Sequence, residues 1–199
     1  MTTTSITKET QVVSEANSLP LLIFMLDSQL YGLPVTQVVR IIEMVTIIQI
    51  QSDANSIRGL INYQGQAIPV MDLRERFGFV PQPYGLNTPI ILVDTHVSHD
   101  KNSPQTQQTN ITDLPLLGLI VDDVEQVIYV SPDSIKQLTT EFSLFSKQSI
   151  STKALPLAGI ININRRIILL LDVTRLLTSH EQTTIENEKL NLDNVNHEA

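Results

Sequence analysis

Ile57-Arg-Gly-Leu-Ile-Asn-Tyr-Gln-Gly-Gln-Ala-Ile-Pro-Val-Met-Asp-Leu-Arg-Glu-Arg-Phe77 returns one hundred positions later, in weakened form, as Leu157-Ala-Gly-Ile-Ile-Asn-Ile-Asn-Arg-Arg-Ile-Ile-Leu-Leu-Leu-Asp-Val-Thr-Arg-Leu-Leu177. Gly59 matches Gly159, Ile61 matches Ile161, Asn62 matches Asn162, Ile68 matches Ile168 and Asp72 matches Asp172, while most other pairs set apolar against apolar. Similarity of this length implies a duplicated structural unit. A second match aligns Gly32-Leu-Pro-Val-Thr-Gln-Val-Val-Arg-Ile-Ile with Gly118-Leu-Ile-Val-Asp-Asp-Val-Glu-Gln-Val-Ile. Its spacing differs from that of the first match, so the second unit is shorter in its middle. The chain reads as two related lobes.

Short runs rich in Val, Ile and Leu alternate with Gly, Pro, Asn and Asp, the pattern of many short strands. Strands are expected over 21–27, 31–34, 38–44, 60–63 and 66–71, with a helical turn over 73–77, and again over 90–94, 116–121, 124–130, 159–163 and 167–171, with a helical piece over 173–177. Five flat antiparallel strands leave exposed edges that closure removes. The expected fold is therefore mostly β: two small five-stranded SH3-like barrels with short helices and a shared core. The first barrel spans roughly 21–80 and the second roughly 88–178, with strand exchange between them as an alternative. Gln64-Gly65 and Asn164-Arg165 stand where two-residue hairpins need positive φ. Asp72 and Asp172 close a strand and open a helical turn, where a carboxylate accepts free backbone N–H groups.

A chain of 199 residues that is 42% hydrophobic buries a substantial core. Cysteine is absent, which excludes disulfides, thiolate chemistry and Cys-based zinc sites and fits a reducing compartment. No secretory leader stands at the N-terminus, and the longest apolar runs fall far short of the roughly 20 residues of a membrane helix, so a cytoplasmic location is expected. Residues 179–199 carry five acids against Lys189, half of the formal charge of −8. This segment is expected to be a flexible acidic tail, although Ile185, Leu190, Leu192 and Val195 could line a weak amphipathic helix. Residues 1–18 are expected as a second flexible tail and 96–113 as a long mobile loop. An acidic chain without a basic stripe is a poor nucleic-acid binder.

No phosphate loop, dinucleotide fingerprint, zinc-protease motif or nucleophile elbow occurs. His96, His99, His180 and His197 fall in the expected loop and tail, so neither metal nor cofactor is assigned. The duplication raises one enzymatic idea, a two-lobed aspartic protease using Asp72 and Asp172. Leu73-Arg74 and Val173-Thr174 follow them where that mechanism needs a small residue and a glycine, so both are read as helix caps and no catalysis is expected.

The pattern Arg58-Gly59-x-x-Asn62-x-x-Gly65-x-x-Ile68-Pro69-Val70-x-Asp72-Leu73-Arg74 resembles the signature of the CheW family of chemotaxis coupling proteins. Residues 21–42, 118–127, Gly159 and 167–177 follow the same family in order, so the resemblance covers about 20–177. It implies two five-stranded barrels and a non-catalytic adaptor linking the cytoplasmic tips of membrane chemoreceptors to a CheA-type histidine kinase, recruited to receptor arrays. It also implies a receptor groove lined by Val38, Gly59, Gly118, Val124, Val127 and Gly159, with a separate face of the first barrel meeting the kinase. Strand valines also pack and strand glycines also serve bulges, so each of these residues carries a structural reading beside the functional one. Asn62, Gly65, Pro69, Asp72, Arg74 and Asp172 read as structural motif positions. The same domain ends CheA and begins CheV, but kinase motifs and a receiver-type acidic cluster are missing, so a stand-alone adaptor is expected.

Two positions depart from the family together. Where it commonly has Val-x-Glu, Val38-Val39-Arg40 stands here, and where it has Asn-x-Arg-Gly, Asn62-Tyr63-Gln64-Gly65 stands. The acid and base so replaced are close in space in the family and tied to receptor binding, which adds Arg40 and Gln64 to the expected groove. Their joint loss points to a divergent receptor in a pilus-motility or other non-flagellar system; an adaptor for a non-chemotactic kinase pathway is the rival reading.

Overall fold

A computed structural model describes residues 18–50, 56–95, 116–137 and 156–197. Its strands are β1 (Leu19–Leu26), β2 (Gln29–Pro34), β3 (Val38–Glu43), β4 (Ile57–Tyr63), β5 (Gln66–Asp72), β6 (Pro89–Asp94), β7 (Leu116–Ile120), β8 (Asp123–Val130), β9 (Leu157–Ile163) and β10 (Arg166–Leu171). Helix α1 (Leu73–Arg76) follows β5, and α2 (Ser179–His197) follows a 3-10 turn after β10. The expected loop 96–113 and residues 1–17 of the expected tail 1–18 lie outside the described residues.

The strands form two five-stranded sheets, in the orders β8-β1-β2-β10-β9 and β3-β6-β7-β5-β4. Each takes strands from both halves of the chain, so the contiguous lobes 21–80 and 88–178 give way to the exchanged arrangement. The hairpin β1–β2 has left the first unit to complete β8–β10, and β6–β7 has left the second to complete β3–β5. Connection length explains the exchange. In an unexchanged lobe β3 would take the place that β8 holds beside β1, and so run parallel to β2. The chain would then have to travel back along β2, about 20 Å for six residues. Residues Val35–Gln37 alone join the two strands and span at most about 11 Å. Continuing forward into the other sheet is the available path, and Val121 with Asp122 sets the same constraint between β7 and β8.

The duplication extends to irregularities. Equivalent bulges interrupt β3 at Val38/Arg40 and β8 opposite Ile23/Phe24, and β4 at Ile57/Gly59 and β9 opposite Leu170/Leu171. Positive φ occurs at Asp27 and Ser28, Gln64 and Gly65, and Asn164 and Arg165, the two-residue turns of three hairpins. The expected barrels take the form of sheets whose edges are joined at one bridge each. Ile48, beyond β3, exchanges two backbone hydrogen bonds of 2.7 and 2.8 Å with Leu60 of β4, and Lys136, beyond β8, exchanges two of 2.9 and 2.8 Å with Ile160 of β9.

Three cores result. Leu21, Ile23, Leu30, Val130, Ile161, Ile168 and Leu170 fill one sheet's concave side. Ile61, Ile68, Val70, Ile90, Leu92 and Ile120 fill the other's. The alternate residues of the same strands, among them Leu22, Phe24, Tyr31, Ile91, Val93 and Leu119, pack between the sheets as a shared core. Strands buried on both faces read as continuous apolar runs, which explains Leu21-Leu-Ile-Phe24 and Ile90-Ile-Leu-Val93.

Residues 179–197 form a helix, so the expectation of a flexible acidic tail there is corrected. Thr178 and Glu181 make a capping box: both the Thr178 N–H and its hydroxyl donate to Glu181 Oε2, at 2.7 and 2.9 Å. Glu181 Oε1 accepts from Arg76 and Ser56 of the other sheet, each at 3.3 Å. One turn on, Ile185 is fully buried in the shared core, a gain of about 1.5–3 kcal/mol that a solvated tail forgoes.

Candidate functional site

The two edge strands β3 and β8 are equivalent in the duplication, and both expose apolar side chains. Val39 and Ile41 are exposed on β3, and Val127 and Tyr129 on β8, Tyr129 to 72%. Two of the four have buried cross-strand neighbours. Ile41 stands opposite Ile91, and Val127 opposite Leu22, both in the shared core. Val38 and Val124, at the start of each strand, are half-buried against that same core. Two apolar strips thus border the inter-sheet core. Ile41 is the repeat partner of Val127, and so was available from the second sequence match.

The three glycines expected to line a groove are buried, and each is closed off by the chain's own residues. A Cβ on Gly118 would meet Ile90 and Val70 side chains at 3.1 and 3.3 Å, inside the β3–β7 sheet's own core. A Cβ on Gly159 would meet Ile135 at 2.8 Å and the Lys136 carbonyl at 3.0 Å. At Gly59, with φ of 139°, it would lie 2.1 Å from the Ile48 carbonyl oxygen. Gly59 and Gly159 therefore permit the edge-joining bridges, and none of the three faces a partner with a side chain. Their alternation could not be read from sequence because strands buried on both faces carry no polar phase.

Arg40 and Tyr63, the residue before Gln64, come from opposite edges of one sheet and are brought into contact by its curvature. Arg40 Nη1 donates a long hydrogen bond, 3.4 Å, to the Tyr63 hydroxyl, and Gln64 occupies the adjacent turn with φ of 53°. Tyr63 gave no functional signal in the sequence. On the β8 side the corresponding rim is neutralised, as Arg166 donates to both Glu125 oxygens at 2.9 and 3.2 Å.

The remaining motif residues build joints. Asn62 Oδ1 accepts from the Gly65 N–H at 3.0 Å across the turn, and Pro69 lies in β5 one residue before pairing with β7 begins. Arg74 grips Asp122 through Nε and Nη2 at 2.6 and 2.9 Å, and also meets Asp27 and the Val80 carbonyl. It thus links α1 to the β1–β2 turn of the other sheet. Asp72 Oδ1 accepts from the Arg74 and Glu75 amides while Oδ2 accepts from the Tyr84 hydroxyl at 2.5 Å. Burial, and then that bond, push the Tyr84 hydroxyl well above its ordinary pKa of 10.0. Asp172 Oδ1 accepts from the Thr174 amide and hydroxyl. Each carboxylate is thus occupied by its own cap, and they do not form the hydrogen-bonded pair that an aspartic protease needs. An open pocket of about 260 Å³ lies over Arg74, lined by Asp72, Tyr84, Thr88 and Asp122 among others. Among the described residues no cluster of three His, Cys, Asp or Glu side chains could hold a metal, and no helix is long and apolar enough to cross a membrane.

Comparison with known proteins places these features in a family context. The family model described as "CheW-like domain" matches residues 20–181. The chain is 26% identical over 166 residues to a chemotaxis protein CheW of Klebsiella aerogenes, covering 83% of this chain and 86% of that protein. It also superimposes on the crystal structure of the scaffolding protein TtCheW from Thermoanaerobacter tengcongensis with a TM-score of 0.64 at 26% identity, covering 82% of this chain and 95% of that one.

Proposed function

Because the chain belongs to the family of CheW-like domains, whose members are non-catalytic chemotaxis scaffolds, we propose that it couples chemoreceptors to a CheA-type histidine kinase in a signalling array. The observation that carries this reading is the pair of equivalent apolar strips, Val39 and Ile41 on β3 and Val127 and Tyr129 on β8, flanking the shared core. A receptor's helical hairpin tip lays its apolar face between them in the helix-in-groove mode. Val38 and Val124 extend the strips inward, Arg40 and Gln64 stand at the rim, and Gly59, Gly118 and Gly159 keep the backbone beneath compact.

The kinase's regulatory domain meets a separate face of the sheet that contains β3 to β7. The adaptor works in the cytoplasm and is recruited to membrane-associated arrays through these two contacts. Arg40 and Gln64, in place of the family's acid and base, support a divergent receptor belonging to a pilus-motility or other non-flagellar system. Co-purification from the native cell tests the reading. A CheA-like kinase and a chemoreceptor should come down together with the chain, and recovery of neither refutes it.

A further inference from the structure

We infer that the pocket over Arg74, with the loop beside it, is a docking site for a protein segment that sets a lysine or arginine between large apolar side chains. The site shares no residue with the two apolar strips, so the inference stands apart from the receptor reading.

Between α1 and β6, residues 77–88 form neither helix nor strand, yet the loop is held along its length. The Phe79 N–H donates to the Arg74 carbonyl and Arg74 Nη1 donates to the Val80 carbonyl, both at 2.8 Å. The Tyr84 hydroxyl is tied to Asp72, and the Arg58 guanidinium stands 5.8 Å from the Tyr84 ring centroid. Beyond Tyr84, the Gly85 N–H donates to Thr88 Oγ1 at 2.8 Å and the Thr88 N–H to the Gly85 carbonyl at 3.1 Å. This held loop presents Leu86 and Val80, 86% and 74% exposed, the two most exposed large apolar side chains among the described residues. A contact surface fixed before binding loses little conformational entropy when a partner covers it. The second copy has no such loop, because α2 begins at Ser179, directly after Leu177 and Thr178.

The loop's inner side walls the pocket, whose volume of about 260 Å³ has room for one side chain. Pro83, Tyr84, Ile120 and Val121 give it an apolar wall, and Asp72, Arg74 and Asp122 a charged one. Asp27 joins the charged wall by bonding both Arg74 and Asp122. Three carboxylates thus stand around one guanidinium, while the nearby Arg58 is already paired with Glu75. The wall keeps an excess of negative charge, and Asp27, at 54% side-chain exposure, is open to a further donor.

That excess decides the occupant. A carboxylate would meet like charge, and a purely apolar side chain would strip water from Asp122 without replacing its hydrogen bonds. A lysine or arginine lays its methylene stem on Pro83 and Tyr84 and brings its cation to Asp27 and Asp122. The apolar neighbours of that residue then cover Val80 and Leu86 on the crest of the loop.

The test titrates the isotope-labelled full chain with the peptide Leu-Ala-Arg-Ala-Leu, capped at both ends, and with its Leu-Ala-Glu-Ala-Leu counterpart, following backbone amide shifts. The arginine peptide should move amides within 80–88 and at Val121 and Asp122, and should bind more weakly as salt rises. Leu86→Ser should weaken it about tenfold by removing apolar cover, and Asp27→Asn about twofold to fivefold by removing an exposed charge. Both side chains are exposed, so neither change disturbs the cores. Equal shifts with the glutamate peptide overturn the charge assignment, and shifts confined to other surfaces overturn the site. Absence of any shift with the arginine peptide at millimolar concentration overturns the inference as a whole, and the scaffold reading survives all three outcomes.

Discussion

Replacing Gly59 by alanine tests the joint that holds the site's edge strand in place. The added Cβ would sit 2.1 Å from the Ile48 carbonyl oxygen and 2.9 Å from Ile47 Cγ2, so the segment beyond β3 has to move away. Doing so gives up the two Ile48–Leu60 backbone hydrogen bonds, worth about 0.5–1.5 kcal/mol each. Holding an alanine at φ of 139° adds strain of about 1–3 kcal/mol. The total is about 2–6 kcal/mol, a large share of the roughly 5–15 kcal/mol that keeps a domain folded. With a urea m-value of about 2 kcal/mol/M, the unfolding midpoint followed by far-UV circular dichroism should fall by about 2 M. Gly159→Ala is the internal control. Its φ lies outside the left-handed region and its new contacts are with a side-chain methyl and a carbonyl at 2.8 and 3.0 Å, so the loss should be about 1–2 kcal/mol of overpacking. Amide exchange of Ile48 and Leu60 should accelerate in Gly59→Ala alone. A midpoint for Gly59→Ala at or above that of Gly159→Ala, or unchanged protection of those two amides, refutes the closure argument.

Arg74→Lys retains the charge but loses the fork that grips Asp122, and the inter-sheet joint should weaken by about 1–2 kcal/mol after allowance for the half-exposed Asp27, measurable as a shift in urea midpoint. Glu181→Ala removes the capping box and the contacts to Arg76 and Ser56, so α2 should fray at a cost of about 1–2 kcal/mol, seen as faster proteolysis within 179–197 while the sheets stay intact. Tyr31, through burial first, and Tyr84 both have hydroxyls pushed above the ordinary 10.0. A raised folded pKa favours the protonated form on folding, so this stability is fully present below pH 10 and is lost as pH rises above it. Urea midpoints measured between pH 8 and 11.5 should therefore decline in the upper part of that range, and Tyr84→Phe should reduce the decline without abolishing it; an unchanged slope in Tyr84→Phe contradicts the assignment.

Much of the architecture was legible because strand, turn and cap signals are local. The repeat located β4 and β5 with β9 and β10, Gln64-Gly65 and Asn164-Arg165 marked their turns, and Asp72 and Asp172 marked the helical starts. Strand exchange was not decided by those signals, since β1–β2 and β6–β7 carry equivalent patterns and either satisfies either sheet. The deciding datum was the three-residue link Val35–Gln37, whose reach excludes a return along β2. Helix α2 was obscured by polar composition, although Thr178-Ser-His-Glu181 is a capping box at the right spacing. At the proposed site, Arg40 and Gln64 were expected from sequence and Tyr63 was not, because its contact with Arg40 depends on curvature that brings the sheet's two edges together.

The exchanged hairpins also set an order of events during synthesis. The sheet β3-β6-β7-β5-β4 has all its strands once Ile120 has been made. The first hairpin to leave the ribosome, β1–β2, gains its neighbours only with β8 and β10, the latter ending at Leu171. Until then Leu21, Ile23 and Leu30 face an unfilled concavity, exposed to the off-pathway association that unpaired strand edges invite. Strands β3 to β7 are thus the first set able to complete a sheet, and β1–β2 with β8–β10 complete theirs last.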